Sequence, residues 1–476
     1  MLFNSFDFLI FFSSFFLLYW LSVKNVKHQN IILLIGSYVF YSFTDWRFLL
    51  LLISISTLNY FLGLYIEKAF KYKRLLMYIG LAQGIGILAF FKYFNFFINS
   101  TNDIFNVINI NFNLKTLNIL IPLGISFFTF RTISYVLDVY NEKIKATKDW
   151  IVFFNYISFF PSILSGPIDK VNLLVPQIEK KRSFNYNDAT NGMRQILWGL
   201  FKKIVIADNC SIFVNEIFDN YSQYSGSTLL LGAVFFSFQL YADFSGYSDM
   251  AIGFSRLIGF KITKNFNFPF FSQNIAEFWR KWHISLTSWL TEYVFSPLSF
   301  NFRRYGKRGL IFAIIINFII CGIWHGANWT YGVFGFIHGC AFIPLIVNNK
   351  LIRKEQEESI RFFFSFKELI NMISVFTFVT FTFIIFRSDN ITHALLFLSK
   401  IFSVSFFLIP ETPSFWVILL VFIFLLLEWN SRRSDYVLDS LLTNLNRISR
   451  WIVYLFFVVL ILYYAGVERP FLYFQF

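Results

Sequence analysis

Apolar stretches close to the length of about 20 residues that crosses a hydrocarbon core recur along the whole chain, separated by short polar runs. Phe8–Val23, Ile31–Phe43, Phe48–Ile66, Leu75–Ile98 and Leu117–Val139 read as the opening series of crossings. Basic residues fall in alternate gaps: Lys24 and Lys27, then Lys68, Lys71, Lys73 and Arg74, then Lys143, Lys145 and Lys148. Loops rich in Lys and Arg stay in the cytoplasm, so this alternation starts the amino terminus outside and gives one self-consistent path. The gap Asn99–Asn113 holds one acid and no base, which suits an outer loop.

Between Trp150 and Arg182 the pattern breaks, because Pro161, Gly166, Pro167 and Pro176 interrupt the apolar run; a re-entrant or surface segment is expected there. Leu197–Val214 and Leu229–Ile258 resume the crossings, and Phe278–Arg308, with Arg280, Lys281, Arg303, Arg304, Lys307 and Arg308, is expected at the inner surface. From Leu310 to Val347, 38 residues contain no Lys, Arg, Asp or Glu, yet bases bound them at both ends. The chain must therefore go in and come back, turning at Trp324–Trp329, which reads WHGANW and sits far from the inner surface. Leu369–Phe386 crosses next, Ser388 or Asp389 caps a helix running along the outer surface through Lys400, and Ser414–Leu427 and Trp451–Gly466 complete the path. Glu468–Phe476 is left outside. The fold class is an all-α polytopic membrane protein, a single integral-membrane domain over residues 1–476 without internal repeats.

Composition agrees and narrows the picture. Hydrophobic residues make up 57% and charged residues 14%, too few polar groups to cover several soluble globules, which carry about 25% charge. The net charge of +14 would suggest nucleic acid in a soluble protein, but here the bases sit in inner loops, so no nucleic-acid partner is expected. The first apolar stretch has Asp7 before it, no base, and no small-residue cleavage site after it, and is read as a retained span rather than a signal peptide. Cys210, Cys321 and Cys340 form no C-x-x-C pair, and there is no H-E-x-x-H or His/Cys/Asp cluster, so neither a disulfide framework nor a metal site is expected.

Five histidines remain as candidate chemistry. His28 and His393 lie in polar edges. His283, in FWRKWHISLTSWL, is flanked by the aromatic and cationic residues of a headgroup-level belt. His325 stands in the uncharged stretch, where a polar group is costly unless it is paired or functional. Shielding from water favours the neutral imidazole, which can act as general base on a hydroxyl, as acyl transfer requires. Gly322 and Gly326 allow close approach, and Asn328 is placed to hold a ring nitrogen or orient a carbonyl. His338 follows 13 residues later, about 140° away around an ideal helix, and is not expected to pair with His325.

These stretches carry a resemblance. PLGISFFTFRTISYVLDVY (122–140), FFPSILSGPI (159–168), GLFKKIVIADN (199–209), YADFSGYSDMAIG (241–253), FWRKWHISLTSWL (278–290) and GIWHGANWTYGVFGFIHG (322–339) run in the order found in the membrane-bound O-acyltransferase (MBOAT) family. The chain resembles its bacterial branch of alginate and peptidoglycan O-acetylation proteins, and more distantly the teichoic-acid D-alanyl transferases. After His283 it reads LTEYVFSPLSF where many relatives carry Arg-Asp-Tyr and a glycine-rich turn.

The resemblance implies an MBOAT fold of about 11 to 13 transmembrane or re-entrant helices around a central tunnel, with residues 122–345 as the motif-bearing core. It implies His325 as the catalytic histidine and His283 as the family's second characteristic one, with Trp324 and Asn328 near the substrate. It also implies no permanently bound cofactor. A cytoplasmic thioester, acetyl-CoA, is the donor, its phosphates met by Arg280 and Lys281, and the acetyl group goes to a cell-envelope polysaccharide through an extracytoplasmic SGNH/esterase-like partner. The bacterial cytoplasmic membrane is the expected location. In the tail, residues 467–476, Phe471, Tyr473 and Phe476 match an F-x-Y-x-x-F pattern in which tyrosine is similar to a transient acyl carrier; an interfacial aromatic belt is the plainer alternative. The rival functions are a lipid-linked-sugar flippase, D-alanyl or other short-acyl transfer to a teichoic-acid-like polymer, and a structural scaffold.

Overall fold

A computed structural model describes the chain except residues 22–24, 44, 70, 111–113, 352–364, 412–414, 444, 467–468 and 473–476. Among the described residues all regular structure is helical. Seven helices among the described residues are long and apolar enough to cross a membrane: Trp46–Lys68, Lys73–Val107, Gly226–Leu257, Arg303–His325, Trp329–Val347, Phe366–Arg387 and Arg447–Tyr464. Other expected crossings are shorter. Val26–Ser42 and Ile125–Tyr140 have 17 and 16 residues, roughly 25 Å of helix against a core of about 30 Å. The helix Arg447–Tyr464 exposes most of its apolar side chains, as a lipid-facing element does, whereas Gly226–Leu257 is mostly buried in protein.

Met1–Ile196 and Tyr247–Thr263 form one compact unit. Its abundance of phenylalanine is spent on ring packing. Phe8, Phe12, Phe15 and Tyr19 recur every three or four residues on Phe6–Leu21 and are buried, Phe12 meeting Phe254 at 4.6 Å and Phe15 meeting Phe160 at 5.1 Å between ring centroids. Two expected boundaries move. The helix expected to end at Ile98 carries on to Val107 through a π turn at Ala89–Tyr93. The crossing expected from Leu117 starts only at Ile125, delayed by Pro122 and by Gly124, whose φ of +75° suits glycine. The extended chain before it is held by asparagines: Asn102 bonds the carbonyl and N–H of Leu114 at 3.0 and 2.9 Å, and Asn95 those of Leu117 at 2.7 and 2.9 Å.

Trp150–Arg182 is broken as its prolines imply, into Trp150–Ser158, Phe160–Ile163 and Val171–Ile178. Against it lies a buried ion pair: Arg131 and Asp169, 1% and 0% exposed, stand 3.9 Å apart. Arg131 also donates to Ser162 Oγ at 2.5 Å and to the carbonyls of Tyr156 and Ile157, while Asp169 accepts the Thr263 N–H at 2.9 Å. Each charge is thereby met partly by hydrogen bonds and partly by the other, which lowers the cost of burying them, while Arg131 Nε and Asp169 Oδ2 keep no hydrogen-bond partner.

Leu197–Gly246 and Lys264–Phe476 form the other unit. Gly306–His325 and Trp329–Ala341 are the expected inward and returning helices, joined at WHGANW. Their backbones touch because Gly322 and Gly335 lack side chains; a Cβ would lie 2.0 Å from the Tyr331 carbonyl oxygen and 2.1 Å from that of Phe318. Asn390, rather than Ser388 or Asp389, caps the helix Ile391–Ile401, accepting the His393 N–H at 2.8 Å. The helical run that includes Leu197–Val214 contains a π turn at Phe201–Ala207 that buries Lys202 and Lys203.

Candidate active site

His325 is the last residue of Gly306–His325; Gly326 turns to extended backbone packed against Tyr331, where a Cβ would lie 2.2 Å from the ring. His283 joins two short helices, Ile275–Lys281 and Ile284–Leu290, in a left-handed conformation with φ +46°. The turn is locked by Asn265, whose carbonyl accepts the Ile284 N–H at 2.9 Å and whose Oδ1 accepts the Ser285 N–H at 3.2 Å. Only a strongly held backbone keeps a non-glycine residue there.

The two imidazoles face each other, ring centroids 6.3 Å apart, with His283 1% and His325 8% exposed. Phe244 stands edge-on to His283 at 4.7 Å, Trp324 lies 5.8 Å from His283 and 4.9 Å from His325, and Phe386 stands edge-on to His325 at 5.2 Å. Burial first, and the neighbouring His325 second, hold the His283 imidazole well below its ordinary pKa, so it is neutral. This corrects the separation by depth read from the charges. Phe278–Arg308 does not simply lie along a surface: Phe278, Trp279, Trp282 and His283 are buried, and broken helices let the segment turn inward to His325.

His338 is also buried, but Trp279 Nε1–H donates to its Nδ1 at 3.1 Å. Its proton therefore sits on Nε2, 2.9 Å from Thr382 Oγ1. Asn328 takes a role other than the expected one. It caps Trp329–Ala341 by accepting the Thr330 N–H at 3.1 Å, and its amide donates to the Asp389 carbonyl at 2.6 Å, so both ends serve the turn. Trp324 is buried between the histidines' surroundings as above. Lys281 pairs with Glu277 at 2.9 Å, while Arg280 is exposed and lines a cleft of about 440 Å³ with Thr287, Ser288 and Glu292. A second cleft, of about 660 Å³, is lined by Arg304, Lys307 and Arg308. Tyr473 and Phe476 lie outside the described residues.

Sequence reasoning missed Phe244, Phe386 and Asn265, which build the walls and the turn. An aromatic residue in a chain with 70 phenylalanines gives no signal, and Asn265 sits in an unremarked polar loop. Among the described residues no group of three or more His, Cys, Asp or Glu side chains gathers as a metal site would. The arrangement sets two buried imidazoles beside each other, shielded from water by aromatic rings.

The sequence profile of the MBOAT, membrane-bound O-acyltransferase family, matches residues 6–386. The chain is 38% identical to a probable alginate O-acetylase of Pseudomonas aeruginosa over 347 residues, 71% of this chain and 65% of that protein. It is 35% identical to a probable alginate O-acetylase of Azotobacter vinelandii over 411 residues, 85% of this chain and 78% of that protein. It is 33% identical to the peptidoglycan O-acetyltransferase of Helicobacter pylori over 400 residues, 78% of this chain and 73% of that protein. With a match over most of its length and an all-helical, membrane-spanning fold, the chain belongs to the membrane-bound O-acyltransferase family.

Proposed function

We propose that this enzyme takes an acetyl group from cytoplasmic acetyl-CoA and passes it across the bacterial cytoplasmic membrane for O-acetylation of a cell-envelope polysaccharide, peptidoglycan or an alginate-like polymer. The observation that carries the reading is the facing pair of buried imidazoles, His325 and His283, 6.3 Å apart and walled by aromatic rings. The donor enters a central tunnel from the inner side, where the clefts lined by Arg280 and by Arg304, Lys307 and Arg308 offer cations to its phosphates. His283 stands beside the thioester and guides it. His325 takes the proton from the attacking hydroxyl, whose oxygen forms the ester bond as the thioester C–S bond breaks. The same proton then passes from His325 to the departing CoA thiolate, so the base is regenerated.

The attacking hydroxyl is that of Tyr473, on a tail facing the outside. A phenol, with a pKa near 10, forms a more activated ester than a sugar alcohol, so onward transfer is downhill. An extracytoplasmic SGNH/esterase-like partner completes that transfer, and only a short tail, not CoA, has to reach it. The names of the relatives support the acceptor class. Membranes incubated with radiolabelled acetyl-CoA should transfer label to protein and polymer, and a His325→Ala protein of normal abundance should not. Full transfer by a folded His325→Ala variant would sink the mechanism.

A further inference from the structure

Outside the histidine pair, a second cluster of buried charge occupies the same unit. Lys203, 1% exposed at its side chain, lies on the π turn Phe201–Ala207 with its ammonium 2.9 Å from Asp208 and 2.8 Å from Asp243. The close approach is permitted by Gly246, where a Cβ would stand 2.8 Å from the Gly199 carbonyl oxygen and 3.3 Å from Lys202 Cβ. Taken by formal charge, one lysine against two aspartates leaves an excess negative charge, which is costly to bury.

The segment Arg469–Leu472 supplies what is lacking. Arg469 donates to Ser211 Oγ at 2.5 Å and to the Asp208 carbonyl at 3.2 Å, bringing the second positive charge. The Pro470 carbonyl accepts from the Lys203 ammonium at 3.3 Å, filling its third donor. Phe471 is fully buried with its ring 4.6 Å from that ammonium, and the Leu472 N–H donates to the second oxygen of Asp243 at 2.9 Å. Four consecutive residues thus make matched contacts with one cluster. Beside them a cleft of about 390 Å³ remains, with Asn215 and Gln239 in its walls; Gln239 is 6% exposed and its Oε1 has no partner. Asp243 and Phe244 are neighbours on Gly226–Leu257, about 100° apart. One helix therefore holds the tail segment with one side chain and walls the His283 ring with the next.

We propose that Lys203, Asp208 and Asp243 form a seat for Arg469–Leu472, and act as positioning residues that fix where Tyr473, the next residue, receives and presents its acyl group. The functional half rests on the acyl-carrier reading of Tyr473; the seat itself rests on the contacts above.

Hydrogen exchange of the purified full-length protein, read on the peptide spanning Arg469–Leu472, tests the seat without reference to activity. In Arg469→Ala, which alters only the segment, that peptide should exchange about tenfold faster or more while peptides from Gly306–His325 keep their wild-type rate. Lys203→Met should do the same, and Lys203→Arg should restore slow exchange. Unchanged exchange in Arg469→Ala overturns the seat. Cellular O-acetylation, measured in parallel, should fall in Arg469→Ala and in Lys203→Met and stay near the wild-type level in Lys203→Arg. If exchange quickens but O-acetylation stays at the wild-type level while Tyr473→Phe abolishes it, the positioning role is overturned and the carrier stands. If Tyr473→Phe retains full O-acetylation, the carrier reading fails, and the exchange data still decide the seat.

Discussion

His338 and the pair His283 and His325 are histidines of one unit, all at most 8% exposed, yet their surroundings differ in kind. His338 spends one nitrogen on the Trp279 indole and the other on Thr382, whose hydroxyl also lies 2.8 Å from the Val379 carbonyl. Its proton is fixed in a chain of structural hydrogen bonds that ties three helical segments together. His283 and His325 are set at the ends of short or terminating helices, facing each other among ring edges. Burial alone does not separate a structural histidine from a working one; what each ring faces does.

The largest test of that contrast is His325→Ala. Loss of a general base typically costs about 10²- to 10⁴-fold, and here acetyl transfer should fall by that range with thermal stability nearly kept. A fall in stability with turnover preserved would reverse the comparison. His283→Asn comes next, since asparagine tolerates the left-handed backbone at φ +46° better than most residues and so removes the ring without breaking the turn. A smaller loss is expected than for His325→Ala, with the rise concentrated in KM for the donor thioester. An unchanged KM with kcat as low as in His325→Ala would make His283 a partner in proton transfer instead. The smallest catalytic effect belongs to His338→Leu. It strands the Trp279 N–H and the Thr382 hydroxyl, costing about 1–3 kcal/mol of stability, read as a lower Tm, while turnover per folded molecule stays at the wild-type value. If turnover vanished with Tm intact, the division into two classes of histidine would be wrong.

Much of the path was legible because charge is scarce in this chain and its position therefore informative. The 38 uncharged residues between two sets of bases can only go in and return, and the helices Gly306–His325 and Trp329–Ala341 do so around WHGANW. The breaks beside Pro161 and at Gly166 and Pro167 were equally plain, whereas Pro176 lies inside the helix Val171–Ile178. What the charges did not show was which histidines meet. The cations near His283 pointed to a surface, whereas the short helices bury the aromatic face of FWRKW and carry the histidine to within 6.3 Å of His325. Contacts between residues 42 positions apart leave no trace in a hydropathy pattern. Asn328 shows a different limit: a side chain suited to orient a substrate is equally suited to cap a helix, and the cap is visible only in the folded chain. The cluster at Lys203 lay hidden inside GLFKKIVIADN, since the crossing Leu197–Val214 carries two adjacent lysines whose partners, Asp243 and the segment Arg469–Leu472, lie far along the chain.

That turn also limits how the chain can vary. A π turn accommodates one residue more than an α turn, so it sets Lys203 and Asp208, five positions apart, on one side, where a regular helix would hold them about 140° apart. Straightened into a regular helix of the same length, the stretch could not bring Lys203 and Asp208 together beside Asp243, although hydrophobicity and charge would be unchanged. The turn's register, rather than composition, is the property this stretch has to preserve, and a change that made it regular α-helix at the same length would keep the helix and loosen its contacts with Arg469–Leu472.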